Sequence, residues 1–390
     1  MKLDGIPLEL AAYKAETITN TRFKDFDLAQ MDCFYLPESL TTLVEDPQLF
    51  KRQFIEDDNR GAILPEKVAT LDGREFFLSV KGIGSTVDPY SWRTLDRLYA
   101  SELSDDEGLR QKLLSTNATG HERIITGELW LRGSPYGGQG IEHATTAMRI
   151  SEMADLTSIG GFLIAPLVKI AFLPKSLEEQ LRHLHWYRKY KGRFVQEIRL
   201  VPSNIRVYFH AKNTLGGNVG HIFDLFSIDS DAKAMRFEIN FLRSTVAMLT
   251  LFPRTLTIDK STGACSGLDF NDVWLDKDAV LAPDGAAYFV DLEGIEETRV
   301  EKSAVKEKIE DQIYRSLYEL TFAYEQIEQE RWTRFGGSTA RKARFRSLLE
   351  EALRDDPFVR LRTSGQGIDM IIRNKCMDES LYTEFGILNE

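Results

Sequence analysis

The chain has 390 residues, 43% of them hydrophobic and 28% charged, the make-up of an ordinary soluble globular protein long enough for two lobes. Its net charge of −11 argues against a general nucleic-acid binder, although a locally basic pocket remains compatible with it. Its 3 cysteines, Cys33, Cys265 and Cys376, have no C-x-x-C spacing, which excludes a disulfide framework and a cysteine zinc site and suits a reducing cytosol. His183 and His185, the close pair among 6 histidines, stand two apart and do not share a helical face.

The expected location is therefore cytoplasmic. The N-terminus carries Asp4 and Glu9 early and has no apolar signal region. The most apolar segment, Ile159 to Leu173, is interrupted by Lys169 and is too short to span a bilayer, so it reads as core.

Residues 1–57 read as an N-terminal extension, helical between Pro47 and Ile55. Two strand-like runs follow, Ala62 to Ala69 and Glu75 to Val80, joined at Leu71-Asp72-Gly73-Arg74, where Asp-Gly is a strong hairpin signal. The second run ends at Lys81, before Gly82-Ile83-Gly84-Ser85. Residues 86–130 look like an insertion, with Asp105-Asp106-Glu107 as a solvated acidic run. A glycine-rich loop, Tyr136 to Gly140, then opens a helix from Glu142 to about Leu156. Such a loop can admit phosphate to a helix N-terminus, or can be a plain connection.

A strand is expected over Leu163 to Phe172, a basic amphipathic helix over Lys175 to Lys191, and a strand over Phe194 to Val201 that carries Arg199. Pro202-Ser203 breaks that strand and is the expected hinge, with Arg206 just beyond it. The remainder reads as helical. Lys233 to Phe252 has Leu242, Val246 and Leu249 on one face. Val305, Ile309, Ile313, Leu317, Leu320, Tyr324 and Ile327 form a long stripe that ends at Gly336-Gly337. Ser338 can cap a last helix that runs to about Arg354.

Between these helices lies Gly263 to Gly294, read as two short strands joined by polar loops. Asp269, Asn271 and Asp272 crowd one loop. Phe289-Val290 then delivers Asp291, an acidic residue placed to hold a metal ion. A catalytic loop followed by a metal-binding Asp-x-x-Gly is the order found in kinase-like phosphotransferases, and an acidic surface hairpin is the plainer alternative. Strands first and helices afterwards predict an α+β, protein-kinase-like two-lobed fold. Its strand-rich, nucleotide-binding N-lobe spans 58–202 and its helical C-lobe, with the metal-binding loop, spans 203–390.

Three segments carry a resemblance. RGAILPEKVATLDGREFFLSVKGIGS resembles the nucleotide-binding hairpin of the selenoprotein O family, where a GDGRAILLGEV-type strand leads to an LQLKGAG-type strand. EIRLVPSNIRVY is similar to that family's VLTRVAPSHIRVG-type segment, and GACSGLDFNDVW to its GFCHGVLNTDNM-type loop. The matching segments are scattered between about residues 58 and 294. The family has a protein-kinase-like fold and transfers AMP from ATP to protein Ser, Thr or Tyr hydroxyls, holding ATP flipped relative to a kinase.

The resemblance implies ATP and magnesium as cofactors, a protein as substrate, and no nucleic-acid partner. Lys81 falls on the phosphate-binding lysine, and Arg199 and Arg206 on the pair that grips the flipped triphosphate. Arg60 and Gly61 lie at the altered glycine-rich edge, and Gly137 on a nucleotide-contacting glycine. Asp272 falls on the aspartate proposed as base and is a candidate second metal ligand, and Asp291 falls on the metal-binding aspartate.

The chain also departs from the family. Val273 stands where a metal-binding Asn is expected, Ser266 replaces a histidine, and the helix glutamate that would pair with Lys81 falls near Ala147. Leu268 occupies the position of the ordinary kinase base. Two further functions therefore stand beside adenylyl transfer. One is a kinase-like phosphotransferase with Asp269 as base. The other is a catalytically inactive pseudokinase acting through partners.

Overall fold

A computed structural model describes residues 16–23, 55–57, 61–82, 139–173, 175, 178, 192–203, 205–206, 222–270, 275–336, 341–364, 367–373 and 381–385. The chain divides into two compact units, Met1–Leu156 with Pro166–Asn204, and Thr157–Ala165 with Ile205–Glu390.

The first unit is built on an antiparallel sheet. Its strands are β1 (Thr17–Thr19), β2 (Ile55–Asp57), β3 (Gly61–Leu71), β4 (Arg74–Lys81), β5 (Gln139–Gly140), β8 (Leu167–Phe172) and β9 (Phe194–Val201). They run in the order β1-β8-β9-β4-β3-β2, with β5 also paired to β9. Ile55 starts a strand where the sequence suggested the end of a helix. The expected β3–β4 hairpin is present. Asp72 and Gly73 both have positive φ, 50° and 76°, the geometry that a two-residue turn between right-twisted strands requires. Register slips between Ile63 and Lys67, around Pro65, which has no N–H to give to a ladder.

Strand β9 is buried along its whole length, so both of its faces are covered. Phe194, Ile198 and Leu200 lie on one face, and each large apolar side chain removed from water stabilises the unit by about 1.5–3 kcal/mol. Helix α1 (Ile141–Met153) packs on β8 and β9 through Ala144, Ala147, Met148, Ile150 and Ser151. It ends short of the expected Leu156, which itself has a φ of 53°. Asn20 Nδ2 donates to Ser151 Oγ (3.0 Å) and to Leu167 O (2.9 Å), so the polar groups buried between β1, α1 and β8 are satisfied.

The strand expected over Leu163 to Phe172 divides at Pro166. Its first part belongs to the second unit, as a small hairpin of β6 (Ser158–Ile159) and β7 (Phe162–Leu163). The expected basic helix over Lys175 to Lys191 falls almost wholly outside the described residues.

The second unit holds α2 (Ile222–Leu225), α3 (Asp231–Leu249) and α4 (Leu251–Thr255). Ser230 caps α3 by accepting from Lys233 N, and Asp231 sits favourably in its first turn. Ala234, Phe237, Glu238, Phe241, Leu242, Thr245 and Val246 form its buried face. The single helix expected to Phe252 breaks at Thr250. Pro253 has no N–H for Leu249 O, and its ring would meet that carbonyl.

Next come β10 (Thr257–Ile258), β11 (Cys265–Phe270), the short helix α5 (Leu275–Asp278), β12 (Ala279–Leu281), β13 (Ala287–Phe289) and β14 (Ile295–Val300). Strand β11 pairs with β10 and β14, and β12 with β13. The stretch is thus richer in strands than expected, because Asp269 is part of β11, opposite Glu296, and not of a loop.

Helix α6 (Val305–Phe335) runs for 31 residues, about 46 Å at 1.5 Å each. Its stripe is buried at Val305, Ile309, Ile313, Leu320, Tyr324 and Ile327, and it stops at Gly336, whose φ is 79°. Helices α6 and α7 (Arg341–Leu353) both pack on α3, and they meet each other where Tyr324 lies against Phe345, with ring centroids 5.0 Å apart. The C-terminal part is not purely helical. After α7 come β15 (Val359–Ser364), β16 (Gly367–Ile372) and β17 (Leu381–Phe385), an antiparallel sheet of three strands that was not anticipated. The protein is therefore a mixed α and β structure. No helix among the described residues is long and apolar enough to cross a membrane.

Candidate functional site

The predicted residues fall into two groups, one in each unit. In the first unit, β3, β4 and β9 lie side by side, and the register sets which side chains share a face. Gly61 is opposite Lys81, Lys81 is opposite Glu197, and Ser79 is opposite Arg199. Residues two apart on β9 point the same way, so Lys81, Glu197 and Arg199 form one row on one face. Gln139 joins that face, because it is opposite Val195 on the same strand.

This row is deeply buried. Relative exposure is 8% at Lys81, 3% at Arg199 and 0% at Glu197. Arg199 Nη2 donates to Glu197 Oε2, and Gln139 Nε2 donates to Glu197 Oε1 at 2.6 Å. Both carboxylate oxygens are thus engaged. Beyond Lys81, a Cβ at Gly82 would stand 2.7 Å from Val195 O, and the residue has a φ of 92°. Glycine is required there for two reasons: the close approach of β9 and the left-handed backbone.

Glu197 escaped the reading of the sequence. A signal is present, since Glu197 and Arg199 are spaced by two within a largely apolar strand and must share a face. The partner expected for Lys81 is a helix glutamate; the structure puts a glutamate opposite it on the neighbouring strand.

In the second unit, the β12–β13 hairpin carries Asp291 at its end. Three contacts hold the hairpin against α3. Asn240 Nδ2 donates to Asp284 O (2.9 Å), Ala287 N donates to Ser244 Oγ (2.9 Å), and Gly285 lies so close that a Cβ would be 2.2 Å from Phe237 O. An aromatic cluster of Phe162, Phe270 and Phe289, with centroids 5.1–5.8 Å apart, ties β7, β11 and β13 together.

Asp291 follows the hairpin, half-buried, and its carbonyl accepts from Gly294 N at 2.9 Å. Asp278, buried just before the first strand of the hairpin, accepts on its carbonyl from Val290 N at 2.8 Å, so its backbone lies at the same open end as Asp291. Carboxylate oxygens are the donors that magnesium prefers, and the ion keeps several of its waters when few of them bind it. Among the described residues, no group of three or more His, Cys, Asp or Glu side chains comes together. Arg206 is buried in this second unit, in a segment where Ile205 O accepts from Leu281 N (2.8 Å) beside β12. Arg60, Gly137, Asp272 and Val273 lie outside the described residues.

Asp269 has a definite structural task. Its Oδ2 pairs with Lys308 of α6, and its Oδ1 accepts from Gln312 Nε2 at 2.6 Å. Gln312 Oε1 in turn accepts from Phe252 N at 2.9 Å, one of the free donors at the start of α4. Burial pushes the Asp269 carboxyl up, but Lys308 and Gln312 outweigh it and hold the group below the ordinary carboxylate range. Leu268 beside it is buried, and its N–H donates to Thr255 Oγ1 at 2.7 Å.

Comparison of the chain with models of protein families, with curated proteins and with solved structures finds no match.

Proposed function

We propose that this protein is an ATP-dependent protein adenylyltransferase with a kinase-like two-lobed fold. The observation that carries the reading is the pairing of Lys81 and Arg199 on one face of adjacent strands, with Gly61 opposite the lysine. Two cations so placed suit a polyphosphate. The lysine acts as a point charge and the arginine as a two-pronged donor.

Asp269 favours adenylyl over phosphoryl transfer. Asp269 is held by Lys308 and Gln312, and its affinity for a proton is depressed, so it is a weaker base than a free carboxylate. Leu268 cannot act as a base.

In the proposed reaction an acceptor hydroxyl oxygen attacks the α-phosphorus of ATP, and the bond to the pyrophosphate oxygen breaks. Asp272 orients the hydroxyl and takes its proton. Lys81 and Arg199 stabilise the charge on the pentavalent phosphorus. Asp291 would hold magnesium, whose charge would offset that of a pyrophosphate group.

The test supplies ATP labelled on the α- or the γ-phosphate and follows the protein-bound label, with Asp291→Ala as control. Incorporation of α-label, lost in the control, is expected. Incorporation of γ-label would establish phosphorylation instead, and no label of either kind would leave a non-enzymatic role.

A further inference from the structure

The Lys81–Glu197–Arg199 row contains an anion that the proposed reaction does not use. Burying two cations on one sheet face without a counter-charge is prohibitively costly, and Glu197 supplies that charge. It is fully buried, gives one carboxylate oxygen to Arg199 and the other to Gln139 at 2.6 Å, and stands directly across from Lys81. A phosphate group seeking the same donors meets a carboxylate already there.

We infer that Glu197 is a built-in counter-anion that occupies the Lys81–Arg199 pair, and that a phosphate-bearing ligand binds by exchanging with it on Arg199. The inference rests on the phosphate-binding reading given above. Gln139 makes the exchange feasible, because Glu197 keeps a hydrogen bond after it releases Arg199. Glu197 then lowers the affinity for anions while keeping the ligand-free sheet intact, so it sets the ligand concentration at which the site fills. Its charge also discriminates: a ligand with several clustered negative charges can displace it, whereas a singly charged one competes poorly.

The experiment measures binding of inorganic pyrophosphate and of ATP to the full chain by calorimetry. Glu197→Gln keeps the size and the partner for Gln139 but removes the charge. It should bind pyrophosphate at least about tenfold more tightly than the unaltered protein, the scale expected when one well-made buried ionic contact no longer competes. Adding Arg199→Gln should abolish the gain. Glu197→Asp, which keeps the charge but shortens its reach, serves if the first variant does not fold and should show a smaller gain of the same sign.

A folded variant with unchanged or weaker pyrophosphate affinity overturns the inference, because a purely structural glutamate would lower thermal stability without tightening binding. If ATP binds the unaltered protein yet no variant binds it more tightly, the inference falls and the nucleotide reading stands. If pyrophosphate binding tightens but ATP binds no form of the protein, the nucleotide reading falls and the counter-anion remains. Absence of binding by either anion to every form removes both.

Discussion

Replacing Asp269 by Asn separates a structural role from a catalytic one. The side chain is 2% exposed and links β11 to α6 through Lys308 and Gln312, while Gln312 reaches on to the start of α4. Asparagine can still accept from Gln312, so that link survives. The charge facing Lys308 is lost. Breaking a fully buried ion pair from one side costs about 3–5 kcal/mol. Lys308 is 20% exposed and can recover part of its hydration, so a loss of about 2 kcal/mol is expected. Urea unfolding of the full chain at pH 7 measures it, and adding Lys308→Met should return part of the loss. Acid supplies a second check. The folded-state carboxyl is depressed, so its stabilisation is complete above the ordinary carboxylate range and fades as pH falls through the folded value. The gap between the native protein and Asp269→Asn should therefore shrink on acidification below about pH 4. Protein-bound α-label per folded molecule should stay unchanged in this variant and fall strongly in Asp272→Asn. A gap under about 0.5 kcal/mol, within the range of ordinary surface substitutions, would refute the clamp. Loss of label transfer by a folded Asp269→Asn protein would make Asp269 the base.

Two further substitutions probe how the Asp291 hairpin and the helical core are held. Gly285→Ala places a Cβ 2.2 Å from Phe237 O at a φ of 92°, so thermal unfolding should show a loss above about 2 kcal/mol. Gly263→Ala, with open space and a φ of 72°, should cost about 1 kcal/mol or less and serves as its control. Arg344→Ala should cost about 3 kcal/mol, because it strips a partner from Glu238, a buried carboxylate of α3 that also faces Arg331 and the Tyr324 hydroxyl. Arg346→Ala, which breaks an exposed pair with Glu350 four residues along the same helix, should cost under about 0.5 kcal/mol by urea unfolding.

Features that depend on neighbouring residues were legible in the sequence. Asp72-Gly73 determined the β3–β4 turn, because its two positive φ values suit that dipeptide and few others. The stripe from Val305 to Ile327 determined α6, and Gly336 its end, because helical spacing and a left-handed stop are local properties. Lys81 and Arg199 could be singled out as cations ending or interrupting apolar strands. Their partners could not. Gln139 reaches Glu197 from 58 residues away, Gln312 reaches Asp269 from 43, and Arg254 meets Asp356 across 102. Such contacts follow from strand register and helix packing, which local spacing does not encode. Residue order alone thus sets the charges the chain carries and much of the local backbone form. Which carboxylate faces which cation comes from the packed fold, since a one-residue change of register would have turned Glu197 to the opposite face of the sheet.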